Sequence, residues 1–186
     1  MRSTRPLSRR RAKGRLPDRP DGLAVQVRRA FLRAFGGLYN DLVRRRARLG
    51  AAAVIFNADG RVLLVRHSYG RRSWELPGGG REPKESVAQA AGREVREELG
   101  VEITNARLCG LYYEADVDQH HFVFRCQLAA GAEPKVSSAE ILEWGYWPLT
   151  GLPRPITDFT VRRIADAQSP STSIAVAVLP ARTWLE

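Results

Sequence analysis

The distribution of apolar and polar residues changes sharply at residue 51. Before it, single apolar residues are scattered among arginines, whereas "AAAVIFNADGRVLLVRH" at 51–67 contains two apolar runs around the polar group "NADG". Short apolar runs separated by Asn, Asp and Gly are typical of two strands joined by a hairpin turn. We therefore expect a β-hairpin at 51–67.

Later runs continue the series with alternating strands and helices. Two strands are expected on either side of "EADVDQ" at 114–119, and one more in "EWGYWPL" at 143–149. Apolar residues at three- and four-residue steps predict a helix from about 86 to 99, ended by Gly100, and a second helix in "ITDFTVRRIADAQ" at 156–168. The apolar stripe of the first helix consists of Ala88, Ala91, Val95 and Leu99. This order predicts an α/β fold in which helices pack on a mixed β-sheet as a sandwich.

Charge separates the N-terminal quarter from the rest of the chain. The net charge is +10, and residues 1–48 hold fifteen basic groups against three acidic ones. Residues 1–22 have too few large apolar side chains to order themselves and are expected to form a disordered basic tail. Residues 23–49 are expected to form an amphipathic, basic helical extension that packs on the domain or on a second subunit, as in a homodimer. The alternative is a surface that binds polyanions or a membrane.

Residues 50–168 are expected to form the folded domain, followed by an extended C-terminal tail at 169–186. No apolar run reaches the ~18 residues that a membrane span needs, and no secretory signal is evident, so a cytoplasmic location is expected. Cys109 and Cys126 both lie in apolar runs, which favours reduced core residues over a disulfide.

The first predicted helix carries three carboxylates on one face. Glu94, Glu97 and Glu98 fall within an arc of roughly 100°, where like charges repel and weaken the helix. Oxygen ligands on a rigid element suit Mg²⁺ or Mn²⁺, which take carboxylate, water and phosphate oxygens. A solvated acidic face is the alternative for these residues taken alone.

The spacing around these carboxylates resembles the Nudix box. Its fixed positions are occupied by Gly79, Glu85, Arg93, Glu94, Glu97, Glu98 and Gly100, so that residues 79–101 carry the box complete. The preceding "GRVLLVRHSYGRRSWELPGGG" and the later "EILEWGYWPLTGLP" are also similar to segments of the Nudix hydrolases. The resemblance covers about 51–167 and implies an α/β/α sandwich around a mixed β-sheet.

The resemblance also implies a reaction. Nudix hydrolases use a divalent metal, Mg²⁺ or Mn²⁺, to cleave a phosphoanhydride bond in a nucleoside diphosphate linked to another group, X. The implied metal ligands are Glu94, Glu97, Glu98 and the carbonyl of Gly79. Glu94 or Glu98 would also orient the attacking water, and Arg93 would pair with Glu85 or Glu97 to fix the carboxylates.

Candidate substrate contacts outside the box are less specific. For phosphate they are Arg66, Arg71 and Arg72; for stacking on a base, Trp74, Tyr112, Tyr113 and Trp144; and for a further acid, Glu140 and Glu143. Core packing, solvated turns and surface ion pairs are the alternatives for these residues. The adjacent histidines His120 and His121 are expected to be a polar pair at a strand edge, with a role as an acid or contact to a ligand as the alternative. The spacing of the three histidines, which include His67, does not support zinc.

Two other functions remain open at this point. A Nudix-fold regulator would bind a nucleotide without cutting it, although such proteins commonly lose box residues and this chain retains them. An RNA 5′-end pyrophosphohydrolase would use the basic N-terminal extension to hold its polyanionic substrate. No proline occurs between Pro83 and Pro134, where many ADP-ribose pyrophosphatases have one, which argues weakly against that substrate.

Overall fold

The computed structural model describes residues 48–169 and 173–186. The strands are β1 (Arg48–Ile55), β2 (Val62–His67), β3 (Trp74–Glu75), β4 (Gly78–Gly80), β5 (Ile103–Glu114), β6 (Gln119–Leu128), β7 (Ile141–Trp147), β8 (Ile156–Thr157), β9 (Ala175–Leu179) and β10 (Trp184–Leu185). The helices are α1 (Val87–Leu99) and α2 (Asp158–Gln168), with a short 3₁₀ turn at Ala115–Val117. The expected tail at 1–22 and nearly all of the expected helix at 23–49 lie outside the described residues and stay predictions.

The strands form two five-stranded sheets. One has the order β4-β1-β6-β5-β9 and the other the order β10-β8-β3-β2-β7. Both are mixed, because β1 is parallel to β6 but antiparallel to β4, and β3 is parallel to β8 but antiparallel to β2. The sequence analysis expected one mixed sheet, and the structure has two.

Alternate residues of β1 enter two different cores. Ala51, Ala53 and Ile55 pack in a cluster that includes the buried side of α1. Ala52 and Val54 pack in a second cluster that includes the buried side of α2. Since neighbouring strand residues point to opposite faces, the two helices cover opposite faces of the strands. The predicted α/β/α sandwich is confirmed.

The turn at "NADG" forms, but the expected hairpin pairing does not extend beyond it. The side-chain oxygen of Asn57 accepts the backbone N–H groups of Asp59, at 3.1 Å, and Arg61, at 2.9 Å. Phe56 and Val62 make one isolated bridge, after which β1 and β2 enter different sheets. Both strands are buried on both faces, so each needs its own set of neighbours, which a two-stranded ribbon would not provide.

Helix α1 has the boundaries that the sequence predicts, because both of its ends are capped. Ser86 accepts the N–H of Gln89 at 3.2 Å, and the Gln89 side chain accepts the N–H of Ser86 at 2.8 Å, which is a capping box. Gly100 ends the helix in a left-handed conformation, with φ of 68°. Within the predicted apolar stripe, Ala88 is only half-buried, and Ala90 is the additional fully buried residue. The caps fix which face of α1 points away from the core.

The folded unit is longer at both ends than the predicted domain at 50–168. Strand β1 begins at Arg48, so the last two residues of the expected helical extension are strand. After residue 168, β9 pairs parallel with β5 and β10 pairs antiparallel with β8. The segment expected as a tail therefore contributes a strand to each sheet, and the compact unit runs from Ala47 to Glu186.

The two cysteines are free and buried in different cores, as expected for structural thiols. Among the described residues, no helix has the length and apolar character needed to span a membrane.

Candidate functional site

The acidic face of α1 is fastened to the outer edge of β4. The N–H of Gly78 donates to Glu98 Oε2 at 3.2 Å, and the carbonyl of Gly80 accepts from Arg93 Nη2 at 2.8 Å. Between them, Gly79 is paired with Ala51 of β1. The strand edge and the helix face therefore form one unit, with the carboxylates held beside the backbone of the three glycines.

Two of these glycines cannot carry a side chain without displacing the site. A Cβ at Gly79 would overlap the carboxylate of Glu94, which lies directly against this residue. A Cβ at Gly78 would lie 2.7 Å from Cα of Ala52, inside the backbone of β1. By contrast, a Cβ at Gly80 would meet no atom within 4 Å. The close approach of strand and helix therefore requires glycine at the first two positions only.

Arg93 holds three carboxylates of the box. Its guanidinium lies 3.1 Å from Glu85 Oε1, 3.0 Å from Glu94 Oε1 and 2.9 Å from Glu97 Oε2, and its side chain is only 18% exposed. The hydrogen bond from Arg93 is the main reason that the pKa of Glu85 lies below its usual value. The expected pairing of Arg93 with Glu85 or Glu97 thus occurs with both at once.

Glu98 is the carboxylate that this arginine does not reach. It is buried, and among the described residues its one hydrogen-bonding partner is the amide of Gly78. Burial, followed by the nearby charge of Glu94, raises the pKa of Glu98 to about 8. The pKa of Glu94 is also raised, first by burial, although Arg93 opposes the shift. Exposed Glu140 raises both pKa values further, which places it electrostatically close to the pair.

These residues suit a divalent cation in their chemistry. Within the described part of the chain, no three Asp, Glu, His or Cys side chains converge in an arrangement that could hold a metal ion. The side chain of Glu97 is 55% exposed and pairs with Arg93. Glu98, which is buried, and Glu94, which is partly buried, nevertheless supply two carboxylates whose negative charge is incompletely compensated, as their raised pKa values indicate. Hard oxygen donors with uncompensated charge are what Mg²⁺ and Mn²⁺ require. The residues present therefore fit the cation that the sequence implies.

A cavity of about 220 Å³ adjoins β4. One wall is the backbone of Gly78–Gly80, and the polar side chains around it are those of His67, Glu75, Gln119, His121, Arg163 and Arg182. The cavity and the carboxylates of α1 thus share the glycine strand.

The charged groups of the cavity are arranged as two ion-paired networks. Glu75 accepts from Arg163 Nη2 at 2.5 Å. Glu114, behind the cavity wall, accepts from Nε and Nη2 of Arg182, each at 2.6 Å, and contacts His121 Nε2 at 2.9 Å. Burial, with the charge of Arg163 second, lowers the pKa of His121 to about 4. The imidazole is therefore neutral near pH 7.

Most of the proposed substrate contacts lie elsewhere in the fold. Trp74 is a core residue against Trp147, with ring centroids 5.1 Å apart, and Arg66 pairs with Glu143 at 2.8 Å. The cavity wall includes none of Arg66, Arg71, Arg72, Trp74, Tyr112, Tyr113, Glu140, Glu143 and Trp144. Tyr112 is fully buried and donates its hydroxyl to Asp166, while Tyr113 is half-exposed and stacks on His120. His120 and His121 therefore have different surroundings although they are adjacent in sequence, and of the two only His121 lines the cavity.

Four residues of the cavity wall were not among the candidates from sequence: Glu75, Gln119, Arg163 and Arg182. Glu75 directly precedes "LPGGG", which was a usable signal that its side chain lies near the site. Arg163 lies in an amphipathic helix and Arg182 in a segment expected to be a tail, and neither position differs in pattern from an ordinary solvated arginine. Their burial depends on contacts between distant segments.

Residues 46–166 match the family model described as NUDIX domain. The chain belongs to the NUDIX family. The complete box, the glycine strand and the acidic helix described above all lie within the matched residues of this Nudix domain.

Three similar proteins illustrate the family. A MutT-like protein from Streptomyces ambofaciens is 33% identical over 96 residues, which are 52% of this chain and 62% of that protein. Diphosphoinositol polyphosphate phosphohydrolase 2 from Homo sapiens is 40% identical over 76 residues, 40% of this chain and 42% of that protein. The crystal structure of an ADP-ribose pyrophosphatase from Streptococcus suis has 25% identity and a TM-score of 0.58, with coverage of 71% of this chain and 98% of that chain. The Nudix domain spans less than two thirds of the length of the two curated relatives.

Proposed function

We propose that this chain is a divalent-metal-dependent pyrophosphohydrolase that cleaves a phosphoanhydride bond in a nucleoside diphosphate linked to a group X. The observation that carries the proposal is the position of Glu94 and Glu98. Both carboxylates lie at the edge of the glycine strand in the spacing of the Nudix box; Glu98 is buried and Glu94 partly buried, and the same strand lines a cavity.

Such a bond is shielded by negative oxygens, so hydrolysis needs neutralisation of charge and a correctly placed water. Glu94 and Glu98, joined by Glu97 after a change of its side-chain position, would hold Mg²⁺ or Mn²⁺ together with the carbonyl of Gly79. When bound, the cation would neutralise the phosphate oxygens and lower the pKa of a coordinated water. Arg93 would hold Glu85, Glu94 and Glu97 in fixed orientations throughout.

Within this proposal, Glu98 and Glu94 are the residues best placed to accept the proton of the attacking water. Both lie close to β4, and neither is exposed to bulk solvent in the way that Glu97 is. Glu85, by contrast, has a lowered pKa and is bound to Arg93, so we assign it an orienting role.

The identity of the substrate is best determined by assaying a panel of candidates. The relatives' names include phosphohydrolases of inositol pyrophosphates and pyrophosphatases of ADP-ribose, all of which break a phosphoanhydride. A panel should contain nucleoside triphosphates, ADP-ribose, NADH, dinucleoside polyphosphates, a diphosphoinositol polyphosphate and 5′-triphosphorylated RNA. Phosphate release is measured with Mg²⁺ and with Mn²⁺.

Two variants make the panel decisive. Glu98→Gln keeps the size of the side chain but removes its charge, and we expect it to lower kcat by at least ~100-fold with every substrate. Glu102→Gln is the matched control, because Glu102 is exposed, lies just beyond the same helix and pairs with Arg96 away from the site. Metal-dependent cleavage that is lost in Glu98→Gln and retained in Glu102→Gln supports the proposal. Equal activity of both variants, or turnover in EDTA, refutes it.

A further inference from the structure

The two described sheets have four outer strands, and three of them are protected against pairing with another chain. Strand β4 is three residues long and is fastened to α1, and β10 has two residues. Strand β7 carries the exposed Glu143 and has an irregular register with β2. Short length, charge and irregular register are usual means of keeping sheet edges apart. The fourth outer strand, β9, pairs with β5 in an unbroken register and carries no charge.

Strand β9 exposes a row of large apolar side chains. Val176 is 73% exposed and Val178 is 71% exposed, while Ile174, just before the strand, is 46% exposed. Three of the seven large apolar side chains described as exposed belong to this stretch. The intervening residues of β9 pack in the core that includes the buried side of α2. One face of β9 is therefore buried, and the other is open in the described part of the chain.

The open apolar face continues inward from the edge of the sheet. Val176 lies opposite Leu111 of β5, which lies opposite Phe122 of β6. Val178 lies opposite Tyr113 in the same way. Residues directly opposite each other share one face of a sheet. Phe122 packs partly against the core that includes α1, so the face that α1 covers near β6 becomes exposed toward β9.

The sequence around β9 is uncharged. Residues 167–181 contain no Asp, Glu, Lys or Arg, and this is the longest such stretch in a chain whose net charge is +10. Two copies of a chain with this net charge repel each other. The repulsion between side chains is weakest where neither copy presents a charge. This stretch is therefore the surface on which two copies can approach each other most closely.

Antiparallel pairing of β9 with the same strand of a second copy matches similar residues. With the two-fold axis at Val176, this residue meets itself and Ala175 meets Ala177 of the second copy. The same register places Ile174 opposite Val178 of the second copy. Pairs of β-branched residues in opposite positions stabilise a sheet. The exposed row of one copy would then continue into that of the other, and the backbone groups of both edges would gain partners.

We propose that β9 is a self-association surface, on which two copies of the chain pair antiparallel about Val176 and join two five-stranded sheets into one ten-stranded sheet. This surface differs from residues 23–49, which the sequence analysis considered for contact with a second subunit. It includes no residue of the acidic face or of the cavity wall, so the proposal does not depend on the proposed function.

The size of the surface sets the expected affinity. A five-residue strand is only about 17 Å long, whereas a stable interface buries about 800 Å² per partner. Pairing of the edges and of the exposed apolar row gives a smaller contact than that. We therefore expect a dimer that exchanges with the monomer and has a dissociation constant on the order of 10 µM.

Sedimentation velocity of the full chain measures this equilibrium directly. Protein concentrations from about 1 to about 300 µM, at physiological ionic strength, bracket the expected dissociation constant. The monomer has a mass of 20.8 kDa. We expect the mass to double as the concentration rises, without larger species, because two-fold pairing is closed.

A charge at the two-fold axis tests whether β9 is the interface. Val176→Lys places two positive charges opposite each other, and we expect it to weaken association at least about tenfold. Val136→Lys is the matched control, because Val136 is an exposed valine in the loop that hydrogen-bonds to the end of α1 and belongs to no described strand. It should leave the dissociation constant within about twofold. Urea unfolding of both variants checks that the fold is retained.

Opposite charges test the register of the pairing. Positions 174 and 178 are about 13 Å apart within one strand but face each other between the two copies. Ile174→Lys and Val178→Glu should each weaken association. The double variant should associate about tenfold more tightly than either single variant, because two ion pairs form across the interface.

Each outcome supports or overturns the proposal. A dimer that is lost in Val176→Lys, retained in Val136→Lys and recovered in the double variant supports it, whether or not the chain hydrolyses a phosphoanhydride. A wild-type chain that stays monomeric over this range, or that forms assemblies larger than a dimer, overturns it. Association of Val176→Lys with the wild-type dissociation constant, or a double variant no tighter than the single variants, overturns it as well.

Discussion

His121 should make the stability of the fold depend on pH in a measurable way. Its pKa is about 4 in the folded chain, against 6.5 for an unperturbed histidine. Between these values the unfolded chain binds a proton that the folded chain does not, so the free energy of unfolding falls as the pH falls. At 1.36 kcal/mol for each pH unit, the loss attributable to His121 between pH 7 and pH 4.5 is about 2 to 3 kcal/mol.

The assay is urea unfolding followed by tryptophan fluorescence at several pH values over this range, using the four native tryptophans. His121→Gln removes the titrating ring, so its stability should fall by about 2 kcal/mol less than that of the wild type over the same interval, whatever its stability at pH 7. His120→Gln alters the neighbouring residue on the opposite face of β6 and should retain the wild-type dependence. If His121→Gln loses as much stability as the wild type, His121 is not buried as a neutral group, and the polarity argued for the cavity is incorrect.

Three further predictions concern the acidic helix and the ion pairs. Glu98→Gln should raise the free energy of unfolding of the metal-free protein at pH 7. The pKa of Glu98 is about 8 in the folded chain, so the wild type loses stability as the pH rises from about 4.5 to 8, and the variant does not. Urea unfolding in EDTA measures the difference, and a variant less stable than the wild type would contradict the prediction. Gly79→Ala should weaken Mn²⁺ binding and hydrolysis at least tenfold, whereas Gly80→Ala should leave both within about twofold, since only the first Cβ overlaps a carboxylate; titration calorimetry and phosphate release on both variants test the contrast. Glu75→Gln should destabilise the fold by about 3 kcal/mol, because it leaves the buried Arg163 without its carboxylate. Glu143→Gln should cost less than about 1 kcal/mol, because its pair with Arg66 is exposed. Comparable losses of the two variants in urea unfolding would contradict the assigned burial.

The elements that the sequence predicts well are those whose signals are local. The helix that carries Glu94 and Glu98 has its capping serine and its terminal glycine directly next to its two ends, so its boundaries and its acidic face could both be predicted. The turn after β1 is specified by Asn57 and by Gly60, which has a positive φ of 74°, and it too forms as expected. The spacing of residues in 79–101, within and just before that helix, was also sufficient to recognise the box and with it the fold.

The remaining features are determined by contacts between distant segments. Whether the two strands joined at "NADG" pair with each other depends on neighbours that come later in the chain, which a local pattern does not contain. Likewise, Arg163 and Arg182 have the same surroundings in sequence as exposed arginines, and only Glu75 and Glu114 decide that they are buried at the cavity. Trp74 and Arg66 were chosen as candidates by residue type. In the structure they contact Trp147 and Glu143, which are distant in sequence, so a local pattern could not indicate these contacts.

The parallel pairing of β1 with β6 has a consequence for folding kinetics. It places Arg48 beside Gln119 and Gly50 beside His121, across roughly seventy intervening residues that include α1 and β5. Pairings of such long sequence separation form slowly, because the entropy of closing the loop is lost before the contacts are gained. The cavity wall contains residues of both β1 and β6, so the cavity forms only when these two strands pair. The helix that carries the carboxylates does not depend on this pairing for its own hydrogen bonds. Recovery of nucleotide binding during refolding should therefore follow the slowest long-range step, later than the recovery of helical content.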